Sequence, residues 1–153
     1  MTYVMNAEYF IQHIQCTRDG KQECLPTVRQ LVELAFAAKE FGILKMDDLV
    51  SDHNRYPDPF LRKAVHLVVE TSNQENIRDV LYNFIGSSKL VANHQFLNQV
   101  LIAETILAIG RSEDLEYIFN YLVPSLFGIE YESMVIEEYR NYKKERLRQG
   151  TTR

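Results

Sequence analysis

Two cysteines, Cys16 and Cys24, stand eight residues apart, and four histidines are scattered through the 153 residues. Thiols and imidazoles serve zinc sites and nucleophilic catalysis, but only at spacings that bring several of them to one point. Neither C-x-x-C nor H-x-x-x-H occurs, so no metal site is expected. A disulfide between the two cysteines would need an oxidising compartment. The N-terminus lacks the basic start, apolar core and small cleavage-site residues of a signal peptide. The expectation is therefore two free thiols in a reducing cytoplasm. G-x-S-x-G, G-x-x-x-x-G-K and G-x-G-x-x-G are all absent, so no enzyme and no cofactor is expected.

The charged residues are more informative. Asp47 and Asp48 are adjacent, which suits a first helical turn, an exposed surface or a cation. Glu104 interrupts an apolar run and calls for an Arg partner or a helix edge. His66 lies between core positions of a strong helix, where a solvent-facing or hydrogen-bonded imidazole is the ordinary outcome. The C-terminal stretch 140–153 holds six basic residues (Arg140, Lys143, Lys144, Arg146, Arg148 and Arg153) and one acid, Glu145. The whole chain carries −4 and this stretch +5, so the chain before it carries about −9. A basic tail of this kind can dock on an acidic surface; a solvated helix end that complements the helix dipole is the plainer alternative. The net charge gives no whole-chain signal for nucleic acid or a membrane surface.

These residues must be positioned by helices. Residues 6–15 form a first amphipathic segment with Phe10, Ile11 and Ile14 inward. Residues 16–23 read as a polar loop with a turn at Asp19-Gly20. A longer helix covers 26–41, with Val28, Leu31, Val32, Leu34, Ala35, Ala38 and Phe41 at helical spacing and Gly42 at its stop. One or two turns over 44–50 precede the polar loop SDHNRYP. Asp58 caps the next helix, Pro59 occupies its first position, and Phe60, Leu61, Ala64, Val65 and Val68 form its stripe. Ser72 and Glu75 have capping-box spacing, followed by Ile77, Val80, Leu81, Phe84 and Ile85. The helix over 93–109 is apolar nearly all round, which places it centrally. Ser112 is expected to cap a further helix, Pro124 to break or restart the chain, and 130–148 to form the last helix, with Tyr131, Met134, Val135, Tyr139 and Tyr142 on it.

No run approaches the roughly eighteen apolar residues of a bilayer span. Length and composition fit one domain. The expectation is an all-α, single-domain helical bundle of about seven helices over residues 1–148, with 149–153 a flexible basic tail. The segments 75–85 and 113–123 share an acidic start and an apolar stripe at an offset of 38 residues, so HEAT-like stacked helix pairs are the alternative.

Residues 31–85 resemble the cytoplasmic region of the flagellar stator A subunit, the MotA family. LVELAFAAKEFGILKMDDLV at 31–50 matches its helix ending in a basic residue and glycine, then an apolar-acidic turn. DPFLRKAVHLVVETSNQENIRDVL at 58–81 matches its D-P-F-L helix, polar turn and following Q-E-x-I-R helix. The resemblance implies a surface that meets a rotor component through charge pairs. The matching positions are Lys39 and Asp47, where the family has Arg and Glu more often, with Asp48 beside Asp47. It also implies a protein partner of the flagellar rotor or stator, without ion conduction, because no membrane helix is present in the chain. The expected function is a non-enzymatic cytoplasmic interaction module, with a HEAT-like scaffold unrelated to motility as the alternative. Self-association is compatible with the apolar content, but no heptad seam marks an interface.

Overall fold

The computed structural model describes residues 7–90 and 92–151. Its helices are α1 (Ala7–Ile14), α2 (Arg18–Glu23), α3 (Leu25–Phe41), α4 (Leu44–Val50), α5 (Pro59–Glu70), α6 (Gln74–Ser87) and α7 (Asn93–Gly110). A broken helical run follows: α8 (Leu115–Tyr117), a π-helical segment (Ile118–Leu122) and α9 (Val123–Phe127). A 3-10 turn (Ile129–Tyr131) leads into α10 (Glu132–Thr151). The fold is all-α, 82% helical with no strand among the described residues. Eight helices have six residues or more, one beyond the expected seven. The start expected at Asn6 and the last two residues of the expected tail lie outside the described residues. Within them the last helix runs past Arg148 to Thr151.

The architecture follows from α7. Eleven of its eighteen residues are buried, spread over every side of the helix. A helix with no polar face must be covered all round. It is covered by α1, α2, α3, α5, α6, α9 and the π segment. The chain's first long helix, α3, packs on its last, α10, which closes the bundle. In a stack of helix pairs each repeat touches only its neighbours, so the stacked alternative does not describe this fold.

Four helices, α2, α5, α6 and α8, start at a side-chain cap. Asp58 accepts a hydrogen bond from the Phe60 amide at 2.9 Å, and Pro59 sits in the first turn of α5. Gly42 ends α3 with φ 92°, a left-handed conformation that glycine adopts without strain.

Several expectations move. Ile11, expected inward on α1, is 58% exposed, because α1 buries none of its residues fully. Residues 18–23 form helix α2 instead of a loop, because the Thr17 hydroxyl accepts from the Gly20 amide at 3.1 Å and starts a helix. Gly20 serves close approach, since a Cβ there would lie 3.1 Å from the His94 Cβ on α7. The α6 cap is Asn73, one residue after Ser72, and it accepts from the Asn76 amide at 3.0 Å. On α6, Val80 and Phe84 turn outward while Tyr82 turns inward, because the Tyr82 hydroxyl donates to Glu104 on α7 at 3.2 Å. Asp114, not Ser112, caps α8 by accepting from the Glu116 amide at 3.3 Å, and Ser112 takes a left-handed φ of 61°.

The polar loop after α4 hides an anchor. Tyr56 is fully buried and its hydroxyl donates to Glu33 of α3 at 2.6 Å. Arg55 pairs with the same carboxylate, and Arg62 of α5 donates to the Tyr56 carbonyl at 2.8 Å. Glu104 pairs with Arg78 of α6, the partner the sequence called for.

Thr105 of α7 is fully buried and its hydroxyl has no hydrogen-bond partner. A buried hydroxyl without a partner costs stability that an isosteric methyl does not. Thr105→Val is therefore expected to hold or raise stability, by up to about 1 kcal/mol in urea unfolding. Its neighbour Ile106, also fully buried, loses packing when truncated. Ile106→Ala is expected to lower stability by about 2–4 kcal/mol in the same measurement.

Candidate partner-binding surface

Lys39 lies in the last turn of α3 and is exposed. No ion pair holds it among the described residues. The chain turns at Gly42, where the Lys45 amide donates to the Gly42 carbonyl at 3.1 Å and the Met46 amide to Ile43 at 3.1 Å. Buried Met46 and Val50 then seat α4 on the core, which leaves Asp47 and Asp48 facing outward. Asp47 is half-buried, with an oxygen 3.7 Å from the His66 Nδ1 on α5. Asp48 is exposed, 3.7 Å from the Lys45 ammonium one turn earlier. The three residues thus flank one corner of the bundle, Lys39 before the turn and the two adjacent aspartates after it, with no ion pair joining Lys39 to either among the described residues.

Phe41 and Leu44 lie on the same corner and are 70% and 71% exposed. The apolar stripe of α3 places Phe41 inward. The structure corrects this: α3 ends there, and its last turn overhangs the core.

Lys39 also edges a half-open cleft of about 730 Å³. Its α3 wall is Ala35, Ala38, Lys39, Gly42 and Ile43. The opposite wall comes from the end of α7 and the start of α8, with Ile109, Leu115, Glu113 and Asp114 among its lining. Glu113 accepts from the Arg111 Nε at 2.9 Å. No residue spacing announces this cleft, because its two walls are about seventy residues apart in the chain.

The basic run divides by helix face. Lys143 turns inward, donating to Glu116 at 2.8 Å and lying 4.8 Å over the Tyr139 ring. Arg146 also turns inward, pairing with Glu40 of α3 and stacking 4.7 Å over Phe36. Arg140, Lys144 and Arg148 lie on the other side and are exposed, together with Leu147 at 71%. Of the tyrosines on this helix, Tyr139 is buried and Tyr142 packs partly buried against the core.

Both cysteines carry free thiols. Cys24 is buried, with the His94 carbonyl 3.3 Å and the Gly20 carbonyl 3.6 Å from its sulfur. Burial, reinforced by Cys16 and Glu23, pushes its pKa up to about 12. Burial also raises the Cys16 pKa against the opposing charge of Lys21. Thiols held protonated are poor nucleophiles. Among the described residues, no group of three or more His, Cys, Asp or Glu side chains could hold a metal ion. No described helix is long and apolar enough to cross a membrane. No family model, curated protein or solved structure significantly matches the chain.

Glu116 is the hub that fixes α10. It accepts from Lys143 at 2.8 Å, Tyr139 at 2.9 Å and Asn120 at 2.8 Å. The hydrogen bond from Lys143, followed by that from Tyr139, holds its pKa below the ordinary 4.5 despite partial desolvation. A depressed folded value means the contribution is present above about pH 4.5 and lost as the pH falls through the lower folded value. The carboxylate is 51% exposed, so solvent reduces the contribution to between a few tenths and about 1 kcal/mol. Glu116→Gln is expected to be less stable than wild type at pH 7 by that amount. The two stability-versus-pH curves should converge as the pH falls below 4.5 through the lowered folded value, as read by chemical unfolding.

Proposed function

We propose that this chain is a non-enzymatic, cytoplasmic protein-interaction module, akin to the cytoplasmic region of the flagellar stator A subunit. In this reading it contacts a rotor or stator component and conducts no ions. The observation that carries it is the α3–α4 corner: Phe41 and Leu44 stand in water, 70% and 71% exposed, between Lys39 and the Asp47-Asp48 pair. Protein interfaces combine an apolar centre with a charged rim. Apolar anchors supply most of the affinity, while rim charges set encounter rate and register. The corner has both parts, and its charged residues Lys39 and Asp47 are the positions the resemblance assigns to partner contact.

The test titrates purified rotor switch protein from the same cell against wild type and variants. Phe41→Ala and Leu44→Ala are each expected to weaken binding by about tenfold or more. Because both side chains are exposed, neither should lower the melting temperature appreciably. Lys39→Glu should slow association and reduce its salt dependence, and a matching charge reversal on the partner should restore it. Absence of binding by wild type, or equal binding by all forms, would remove the motor reading.

A further inference from the structure

Helix α1 is held differently from the helices around it. It is eight residues long and buries none of them. Phe10, His13 and Ile14 are half-buried, and the other five residues are exposed. Among the described residues its packing partner is α7. The contact is made of rings. Tyr9, Phe10 and His13 each meet the Phe96 ring edge-on, at a centroid distance of 5.9 Å. The His13 ring also stacks on Tyr9 at 3.9 Å. No ion pair among the described residues ties α1 to the bundle. By contrast, α10 is fixed by the ion pairs of Lys143 and Arg146, and α2 by the Lys21 ammonium on the Phe127 carbonyl.

A helix of eight residues is not stable in water by itself. The conformation of α1 therefore depends on its seat on α7, and losing the seat means losing the helix. The connection to α2 is anchored independently. Asn93 of α7 donates from Nδ2 to the Gln15 carbonyl at 2.9 Å, and the Thr17 hydroxyl caps α2. Both bonds lie beyond the end of α1, so they hold residues 15–17 whether α1 is seated or not. Phe96 is 1% exposed, and part of that cover comes from the three α1 rings.

We infer that α1 is a strap: it leaves α7 as a unit, unfolds as it goes, and uncovers Phe96 while the rest of the bundle stays folded. Opening gives up half-buried contacts only. Global unfolding must also expose the fully buried side chains of α7, so opening is the less costly event. The closed and open states differ in whether an aromatic side chain of the central helix meets water. The strap is therefore a gate on that face of α7. Any apolar group that contacts Phe96 must displace α1, and its apparent affinity is scaled by the open fraction. The inference uses no part of the stator resemblance.

Hydrogen exchange on the full chain tests this through the amides of residues 11–14, which close the helical bonds of α1. In wild type they are expected to exchange at least ~100-fold faster than the core amides of α7. Ile106→Ala, which weakens the whole bundle, should speed exchange in α7 and leave the α1 rate unchanged. Phe10→Ala should do the reverse, speeding α1 about tenfold or more without lowering the melting temperature of the bundle. A second measurement separates release from fraying in place. The chain has no Trp, so Phe10→Trp supplies a lone reporter of the seat on Phe96. Its emission is expected to shift to that of solvated indole at urea concentrations below those that collapse the helical circular dichroism. Tyr9→Trp is the second reporter, used if the larger ring does not seat at position 10. An α1 exchange rate that rises with Ile106→Ala would overturn the inference. So would emission and dichroism transitions that coincide, or solvated emission from both reporters before any urea is added.

Discussion

The constraint on which this molecule depends is that α7 has no face fit for water. Its buried residues lie on every side, so seven other elements must gather around it for it to fold at all. Burial of apolar area drives this but does not choose how the surrounding helices are oriented, because the hydrophobic effect is non-directional. Orientation falls to a few polar contacts placed where the surrounding helices meet.

Three carboxylates carry most of that task. Glu104 breaks the apolar run of α7 and meets Arg78 and Tyr82 of α6. Glu33 of α3 accepts from Tyr56 and pairs with Arg55, which fixes the loop between α4 and α5. Burial and the hydrogen bond to Glu33 push the Tyr56 hydroxyl pKa upward, so this hydroxyl remains a donor at neutral pH. Glu116 binds α10 to the broken helical run. Each is only partly exposed or multiply bonded, and a half-buried carboxylate left without its donors is costly. The pairs therefore act more as penalties on wrong arrangements than as sources of net stability.

Much of this was legible in the sequence wherever the information is local. The Asp58-Pro59 start of α5, the Gly42 stop and the all-round apolar character of α7 each depend on neighbouring residues, and each appears as read. Some errors are local, a cap displaced by one or two residues from Ser72 to Asn73 and from Ser112 to Asp114; the others occur where a distant contact decides. Asp19-Gly20 has turn chemistry, yet the approach of α2 to α7 uses the glycine for its lack of a side chain. Val80 and Phe84 fit the period of α6, but the hydroxyl of Tyr82 reaching Glu104 rotates the helix away from them. The basic run looked like one feature, and only the positions of Glu116 and Glu40 divide it into an inward half and an outward half. The cleft is the extreme case, because no short-range pattern joins Ala35 to Leu115.

The same division explains why the exposed apolar residues stand where they do. Phe41 and Leu44 flank the end of α3, and Leu147 lies near the end of α10. At a helix end the core no longer extends beneath the last turn, so an apolar side chain there remains in water unless another molecule covers it. Lys143 and Arg146 secure α10 to the body and thereby hold Leu147 out from it. Gly42 turns the chain sharply enough to keep Phe41 and Leu44 on one projecting corner. The contacts that make the fold unique are thus the ones that present its uncovered residues on defined, well-held surfaces. A loose tail would offer the same residues, but would lose more conformational entropy on binding.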